Sequence, residues 1–216
     1  QKVLEHAQAV GAEMSVKVDD QTDKGAMVAI SGPCARDLLD SVLPEKPGDL
    51  PEGTAKIGSM MIARYIVMRT SFTGMWGLEV ILPKMFIGKA WRFITDKAGE
   101  KALKPAGMNA RDILRIEAGI CRYGHELNET IDPLTAGLES LVHFDHEFIG
   151  RDALIAIRDK GVSRKRVGLR LDGTDIARQG DTVLNSDGVE VGVITSGTFS
   201  PALDCSIAMA QVSLPS

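Results

Sequence analysis

The sequence predicts an α+β fold in which a mixed-sheet domain is followed by a small β-barrel or β-sandwich. Up to about residue 160, strand-like and helix-like segments follow one another without the regular alternation of a doubly wound sheet. After that point the segments become short and strand-like, and Asp187-Gly188 is typical of a tight hairpin. We therefore expect a first domain over residues 1–162 and a second over 163–216, with the basic run "SRKRV" at 163–167 forming a solvated linker.

In the first third of the chain, the pattern predicts two helices, two strands and a loop. Apolar residues at helical spacing predict a helix over residues 2–10, and short apolar runs predict strands at 14–18 and 27–30. A second helix is expected to begin near Pro33, because proline suits the first helical position. Residues 44–58 are rich in proline, glycine and charge, which predicts a loop.

The remaining elements follow from the same patterns. Strands are expected at 65–69 and 78–82, joined by a glycine-containing turn. A helix over 86–98 is expected to bury one stripe formed by Phe86, Ile87, Ala90, Trp91 and Ile94. In the second domain the predicted strands are 167–171, 182–184, 189–194 and 207–212.

The composition argues against several classes of function. The 216 residues carry a formal net charge of −4 and no basic stripe, which argues against nucleic acid or an anionic membrane as the main partner. The apolar stretches are too short or too interrupted for a transmembrane helix, and no signal peptide is expected at the start. Three widely separated cysteines predict buried or free thiols in a reducing compartment. His143 and His146 lack a third ligand nearby, so we expect loop histidines and no metal site.

Two charged residues stand out as candidate ligand contacts. Glu79 lies on a predicted strand between apolar neighbours, and an inward carboxylate must be paired, whereas strand alternation with Glu79 in water is the plain alternative. Arg111 lies at the start of a predicted helix that Asn109 is expected to cap, and an ion pair with Asp112 or another carboxylate is its plain alternative. For Arg115 and Glu117 we expect structural ion pairs. Tyr123 and His125 follow in a loop, where turn packing explains them as well as ligand contact.

Three stretches of the chain resemble one protein family. They are "NARDILRIEAGICRYGHELNETIDPLTAGLESLV" with "FIGRDAL" after it, "RTSFTGMWGLEVILP", and "RVGLRLDG" continuing to "SIAMAQV". Their order, spacing and residues resemble the aminomethyltransferase family, the T-protein of the glycine cleavage system. The resemblance covers most of the chain and implies that residues 1–162 belong to a folate-binding domain.

The resemblance also implies roles for single residues. Glu79 matches a glutamate that binds folate in the family, and Arg111 matches an arginine that contacts the same ligand, so the two side chains are expected to converge on one pocket. Phe72 stands where the family has tyrosine, so it keeps a stacking face and loses the hydroxyl. Ser71, Met75 and Trp76 also depart from the family motif, and Trp76 either packs or lines the pocket.

The resemblance implies an enzyme that transfers a methylene unit from the aminomethyl-lipoyl group of H-protein to tetrahydrofolate, with release of ammonia. Tetrahydrofolate and lipoylated H-protein would be its partners, in the cytoplasm or, in a eukaryote, the mitochondrial matrix. The acidic motif that carries the family's catalytic Asp has no match here, so the catalytic residue is unknown. The match also suggests a missing N-terminal part and a truncated C-terminal barrel. For the isolated chain we expect no methylene transfer and weak folate binding.

Two other functions fit the same pattern. A related folate-dependent demethylase would keep the folate contacts and change the donor pocket, and the departures near Phe72 and Trp76 leave it open. A non-catalytic folate-binding protein of the same fold, acting in repair or regulation, is the alternative of a different class.

Overall fold

A computed structural model of the chain describes residues 2–44, 46–60, 62–99 and 102–214. The chain divides into two compact units. The first comprises residues 1–71 and 75–105, and the second comprises residues 72–74 and 106–216. The domain boundary predicted near Ser163 stays a prediction.

The first unit is an α+β unit built on one four-stranded sheet. Its helices are α1 (Lys2–Glu13), α2 (Ala35–Val42) and α3 (Ile87–Ala98), with short 3-10 helices at Pro47–Asp49 and Lys84–Phe86. Its strands are β1 (Gly25–Ser31), β2 (Ala55–Met60), β3 (Ala63–Met68) and β4 (Gly77–Pro83). The strands lie in the order β1-β4-β3-β2, and each neighbouring pair is antiparallel, where a mixed sheet was expected.

One face of this sheet forms the core of the first unit. Leu78 and Val80 of β4 are buried there with Val67 of β3 and Leu39 of α2. Because successive strand residues point to opposite faces, the residue between Leu78 and Val80 lies on the other face of the sheet. That residue is Glu79.

Several predicted elements of the first unit are confirmed, and two are wrong. The helices predicted at 2–10, from Pro33 and at 86–98 correspond to α1, α2 and α3, although α2 begins at Ala35, so Pro33 is not its first residue. The stripe expected to be buried on α3 is only half-buried, and its Trp91 is 44% exposed. Residues 14–18 form no strand, because the chain turns at Ser15 (φ 56°) and the Val16 N–H donates to the carbonyl of Gly11. The loop predicted at 44–58 contains most of β2, an edge strand in which Lys56, Gly58 and Ser59 interrupt the apolar residues.

The second unit combines two helices with a second antiparallel sheet. The helices are α4 (Met108–Glu117) and α5 (Arg151–Lys160), with a 3-10 helix at Glu139–Leu141. The strands are β5 (Arg164–Leu171), β6 (Thr182–Leu184), β7 (Glu190–Ser200) and β8 (Cys205–Ser213), in the order β5-β8-β7-β6. Ile116 of α4 packs with Cys205, Ile207 and Met209 of β8. The predicted α+β class is thus confirmed.

The turn between β6 and β7 has the predicted hairpin geometry. Gly188 adopts φ 77°, and the Asn185 side chain accepts hydrogen bonds from the N–H groups of Asp187 and Val189. Glycine suits this left-handed conformation because it lacks Cβ.

The basic run at 163–167 is not a linker, contrary to our expectation. It forms the start of β5, and the Arg166 guanidinium donates to the carbonyls of Ala136 (2.8 Å) and Gly119 (2.7 Å). This arginine therefore joins β5 to two loops of the second unit. Cys34, Cys121 and Cys205 are free thiols, as predicted. Within the part of the chain that the structure describes, no helix is long and apolar enough to cross a membrane.

Candidate functional site

Glu79 is a buried carboxylate in the middle of the first sheet. It lies on β4, between Ala29 of β1 and Met68 of β3 in the strand register. Only 7% of the residue is exposed. The alternative that strand alternation leaves Glu79 in water is therefore wrong.

Within residues 2–44, 46–60, 62–99 and 102–214, no group donates a hydrogen bond to Glu79 and no cation pairs with it. Burying a charge without a partner is costly, and carboxylates in proteins are normally satisfied by donors. An N–H-rich ligand would supply the missing donors, because a carboxylate accepts two parallel hydrogen bonds from adjacent N–H groups. The carboxylate of Glu79 is thus free for a ligand of this chemistry.

The turn that precedes Glu79 is held by an arginine and a tryptophan. The Arg69 guanidinium lies 4.7 Å from the centre of the Trp76 ring and donates to the Gly77 carbonyl. Trp76 packs against the core of the first unit, which answers the question left open for this residue. Gly77 has no room for a side chain, because an added Cβ would lie 2.8 Å from the Ser31 Cβ. The start of β4 is therefore fixed two residues before Glu79.

In the second unit, Arg111 stacks on Phe72. Its guanidinium carbon lies 4.2 Å from the centre of the Phe72 ring, a cation–π contact. Among the described residues, no carboxylate forms an ion pair with Arg111. Asp112, its plain alternative partner, instead accepts hydrogen bonds from Arg115 (2.8 Å) and Arg122 (3.2 Å). The N–H edge of Arg111 is consequently free to bind a carbonyl or carboxylate bidentately.

The segment that carries Phe72 packs against the end of α4. Gly74 adopts φ 71°, and an added Cβ there would lie 2.6 Å from the Ala118 Cβ. This close approach explains why residues 72–74 belong to the second unit. Asn109 does not cap α4, contrary to prediction, because the helix already begins at Met108 and Gly107 precedes it.

A buried polar network anchors α4, and the sequence predicts only part of it. The predicted ion pair of Arg115 is confirmed: Arg115 contacts Asp112 and also Glu126, at 2.7 Å. Glu126 is fully buried, and its Oε1 accepts hydrogen bonds from Thr195 (2.7 Å) and Ser196 (2.6 Å) of β7. No local pattern singles out Glu126, because its hydroxyl partners on β7 lie 69 and 70 residues away.

Glu117, for which we expected an ion pair, does not form one within the described residues. It accepts a hydrogen bond from the Ser200 hydroxyl at 2.5 Å, so it ties the end of α4 to β7 without a cation. The loop after α4 also packs. His125 Nδ1 lies 3.1 Å from the Thr195 carbonyl, whereas Tyr123 is exposed.

The network changes the acid–base behaviour of Glu126. Burial would raise the pKa of Glu126, but hydrogen bonds from Ser196, Thr195 and the Arg122 N–H, with the charge of Arg115, hold that pKa below its ordinary value. A carboxylate whose pKa is lowered on folding stabilises the fold above its unfolded-state pKa, and this contribution disappears as the pH falls through the folded-state pKa.

We therefore expect the free energy of unfolding to decrease as the pH falls below about 4.3, the ordinary pKa of glutamate. The variant Glu126→Gln should show a flatter dependence over the same acid range, because its side chain does not titrate. Denaturant titrations at a series of pH values measure both curves. Parallel curves for the two proteins would show that Glu126 does not contribute to the acid sensitivity.

The structure leaves the two principal candidates in different units. Glu79 belongs to the first unit, and Arg111 and Phe72 belong to the second. Their predicted convergence on one ligand stays a prediction. His143 and His146 are exposed, with ring centres 6.5 Å apart, and the described residues contain no group of three or more His, Cys, Asp or Glu side chains arranged to hold a metal ion.

Comparison with known proteins supplies the family. Residues 1–146 match the model of the GCVT N-terminal domain, and residues 164–215 match that of the glycine cleavage T-protein C-terminal barrel domain. An aminomethyltransferase of Thermotoga neapolitana is 39% identical over 199 residues, which cover 92% of this chain and 54% of that protein. An aminomethyltransferase of Rubrobacter xylanophilus is 39% identical over 217 residues, which cover 98% of this chain and 56% of that protein.

The fold comparison agrees with the sequence comparison. The crystal structure of glycine cleavage system aminomethyltransferase T from Bartonella henselae superposes with a TM-score of 0.63 at 22% identity, covering 88% of this chain and 76% of that one. The chain spans about half the length of the curated relatives it matches. Because both family models match it and together cover most of its length, the chain belongs to the glycine cleavage T-protein (aminomethyltransferase) family.

Proposed function

We propose that this chain carries the folate-binding residues of an aminomethyltransferase of the glycine cleavage system. The observation that supports this most strongly is Glu79, a buried carboxylate without a partner among the described residues. A pterin ring presents a ring N–H and an exocyclic amino group side by side, which are the donors that such a carboxylate needs. The residues present therefore fit tetrahydrofolate.

Arg111 supplies the complementary chemistry. Its guanidinium is stacked on Phe72 and has no carboxylate partner among the described residues, so its N–H groups remain available for a ligand carbonyl or carboxylate. An arginine fork binds such groups with fixed geometry, which a lysine does not. The two side chains suit opposite types of ligand atom: Glu79 would bind hydrogen-bond donors, and Arg111 would bind acceptors.

These residues orient the ligand and do not react. Tetrahydrofolate, when bound, accepts the methylene unit that leaves the aminomethyl-lipoyl group of H-protein as ammonia is released. Glu79 and Arg111 would hold the accepting ring in place, which makes the transfer effectively unimolecular. None of the described residues is assigned as the general acid or base. We propose lipoylated H-protein as the protein partner and the cytoplasm, or the mitochondrial matrix of a eukaryote, as the location.

The relatives favour transfer over the two alternatives. The curated relatives named above are aminomethyltransferases. A non-catalytic folate-binding role has no observation of its own in its favour.

The substitution Arg111→Lys tests the arginine. We expect it to weaken tetrahydrofolate binding about tenfold, since it keeps the charge and removes the fork, a loss of roughly 1.4 kcal/mol. Arg170→Lys, on an exposed part of β5, is the matched control and should leave the affinity unchanged. Titration of ligand fluorescence gives both affinities. Equal affinities for the chain and the Arg111→Lys variant would contradict the proposed role.

A further inference from the structure

The helix that carries Arg111 is anchored one turn later by a fully buried arginine. Arg115 is 1% exposed, and its guanidinium donates to Asp112 (2.8 Å), Glu126 (2.7 Å) and the Ser196 hydroxyl (2.8 Å). It also donates to the carbonyl of Ile120 at 3.3 Å. Residues four apart lie on the same face of a helix, so the contacts of Arg115 fix the rotation of α4 on the side that carries Arg111.

Glu126 is the residue on which this anchor depends. Its Oε2 accepts hydrogen bonds from Arg115 and the Arg122 N–H (3.0 Å), and its Oε1 accepts from Thr195 and Ser196. Neighbouring residues of a regular strand point to opposite faces. Here the register of β7 shifts between Ile194 and Ser196, and this bulge lets two consecutive hydroxyls reach one carboxylate. The bulge therefore contributes to the hydrogen-bond network that holds α4.

The same network keeps Asp112 away from Arg111. Asp112 directly follows Arg111 in the chain and is the nearest carboxylate in sequence. Its Oδ1 already accepts hydrogen bonds from Arg115 and Arg122, and burial, which by itself would raise the pKa of Asp112, is outweighed by these two arginines, which hold that pKa below its ordinary value. An ionised and occupied Asp112 leaves Arg111 stacked on Phe72, and no carboxylate of the described residues pairs with its N–H edge.

We propose that Glu126, acting through Arg115, is a positioning residue for Arg111. It holds Arg115 in place, Arg115 fixes α4 and occupies Asp112, and Arg111 thereby keeps its stack on Phe72 and a free edge for the ligand. This inference rests on the proposed function only where it concerns the binding of tetrahydrofolate. The stack can be observed without any ligand.

The test uses the Nε–H resonance of Arg111 in nuclear magnetic resonance spectra of the whole chain. A proton above an aromatic ring is shifted upfield by the ring current, so this resonance reports the Arg111–Phe72 stack, and Arg111→Lys assigns it. In Glu126→Gln we expect the resonance to move toward the position of a free arginine and the dissociation constant of tetrahydrofolate to rise about tenfold. Ser196→Ala, a milder change in the same network, should move it part of the way even if Glu126→Gln folds poorly.

Two controls separate positioning from general destabilisation. Glu190→Gln makes the same chemical change at an exposed position of β7, and Val183→Ala weakens the packing of the second sheet without touching the network. Both should leave the Arg111 resonance in place. If the resonance stays in place in Glu126→Gln and Ser196→Ala, the positioning role is wrong. If Arg111→Lys leaves tetrahydrofolate affinity unchanged, the proposed function is wrong, so the two failures are distinguishable.

Discussion

Replacing Arg115 with leucine is expected to lower the free energy of unfolding of the second unit by about 3–5 kcal/mol. The reason is that Glu126, fully buried beside it, would lose its cation and keep its charge. For a chain of this size the loss corresponds to a melting temperature lower by roughly 6–20 °C. Denaturant unfolding followed by hydrogen exchange of residues 106–216 measures the effect in the unit concerned.

A double variant makes this prediction sharper. Arg115→Leu with Glu126→Leu removes both charges, so it should be more stable than Arg115→Leu alone, because no uncompensated carboxylate remains. Arg164→Leu, at an exposed position at the start of β5, is the control and should change stability by less than about 0.5 kcal/mol. A loss below about 1 kcal/mol for Arg115→Leu, or a double variant less stable than the single one, would contradict the stabilising role of the pair.

Replacing Glu79 with alanine is expected to weaken tetrahydrofolate binding by roughly 2–4 kcal/mol, the range for losing charge-assisted hydrogen bonds in a desolvated site. This is about one and a half to three powers of ten in affinity. The fold should tolerate the change, because Glu79 makes no hydrogen bond or ion pair with the described residues. Fluorescence titration with tetrahydrofolate gives the affinity, and thermal unfolding without ligand gives the stability.

The outcome of the stability measurement matters as much as the affinity. A buried carboxylate retained for a ligand costs stability in the free protein, so Glu79→Ala should unfold at the same temperature as the unchanged chain or at a higher one. The cross-strand neighbours of Glu79 are Ala29 and Met68. Neither apolar side chain would lose a hydrogen bond when Glu79 is replaced by alanine. Unchanged folate affinity in this variant would remove Glu79 from the list of ligand contacts.

Patterns over a few residues predict those helices and turns that are stabilised by residues close to them in sequence. The helical spacing of α3 and the Asp-Gly turn before β7 are local, and both were recognised. The edge strand β2 was missed because its pairing with β3 supplies its stability, and its own residues have little strand preference. Residues 14–18 are the opposite case: their sequence predicts a strand, but they form the turn that ends α1.

The candidate site divides in the same way. Glu79 stands out in the sequence as a charge between apolar strand residues, but only the resemblance to the family indicates that it contacts a ligand. The structure shows that the residue is buried. Glu126 was missed because its hydroxyl partners on β7 come from a bulge that no spacing in the sequence reveals. Arg166 was misjudged for a related reason: its carbonyl partners, Gly119 and Ala136, are 47 and 30 residues away in sequence.

We propose that the Glu79 carboxylate binds the donor groups of a pterin ring. It is tested most directly by comparing tetrahydrofolate with an analogue that lacks the 2-amino group, each titrated against the chain and against Glu79→Ala. If the carboxylate and the amino group bind each other, removing either group should weaken binding. Removing the second group after the first should weaken binding little further, so the coupling free energy between the two groups should be at least about 1.5 kcal/mol. Additive losses, or an analogue that binds the unchanged chain as tightly as tetrahydrofolate does, would contradict the claim.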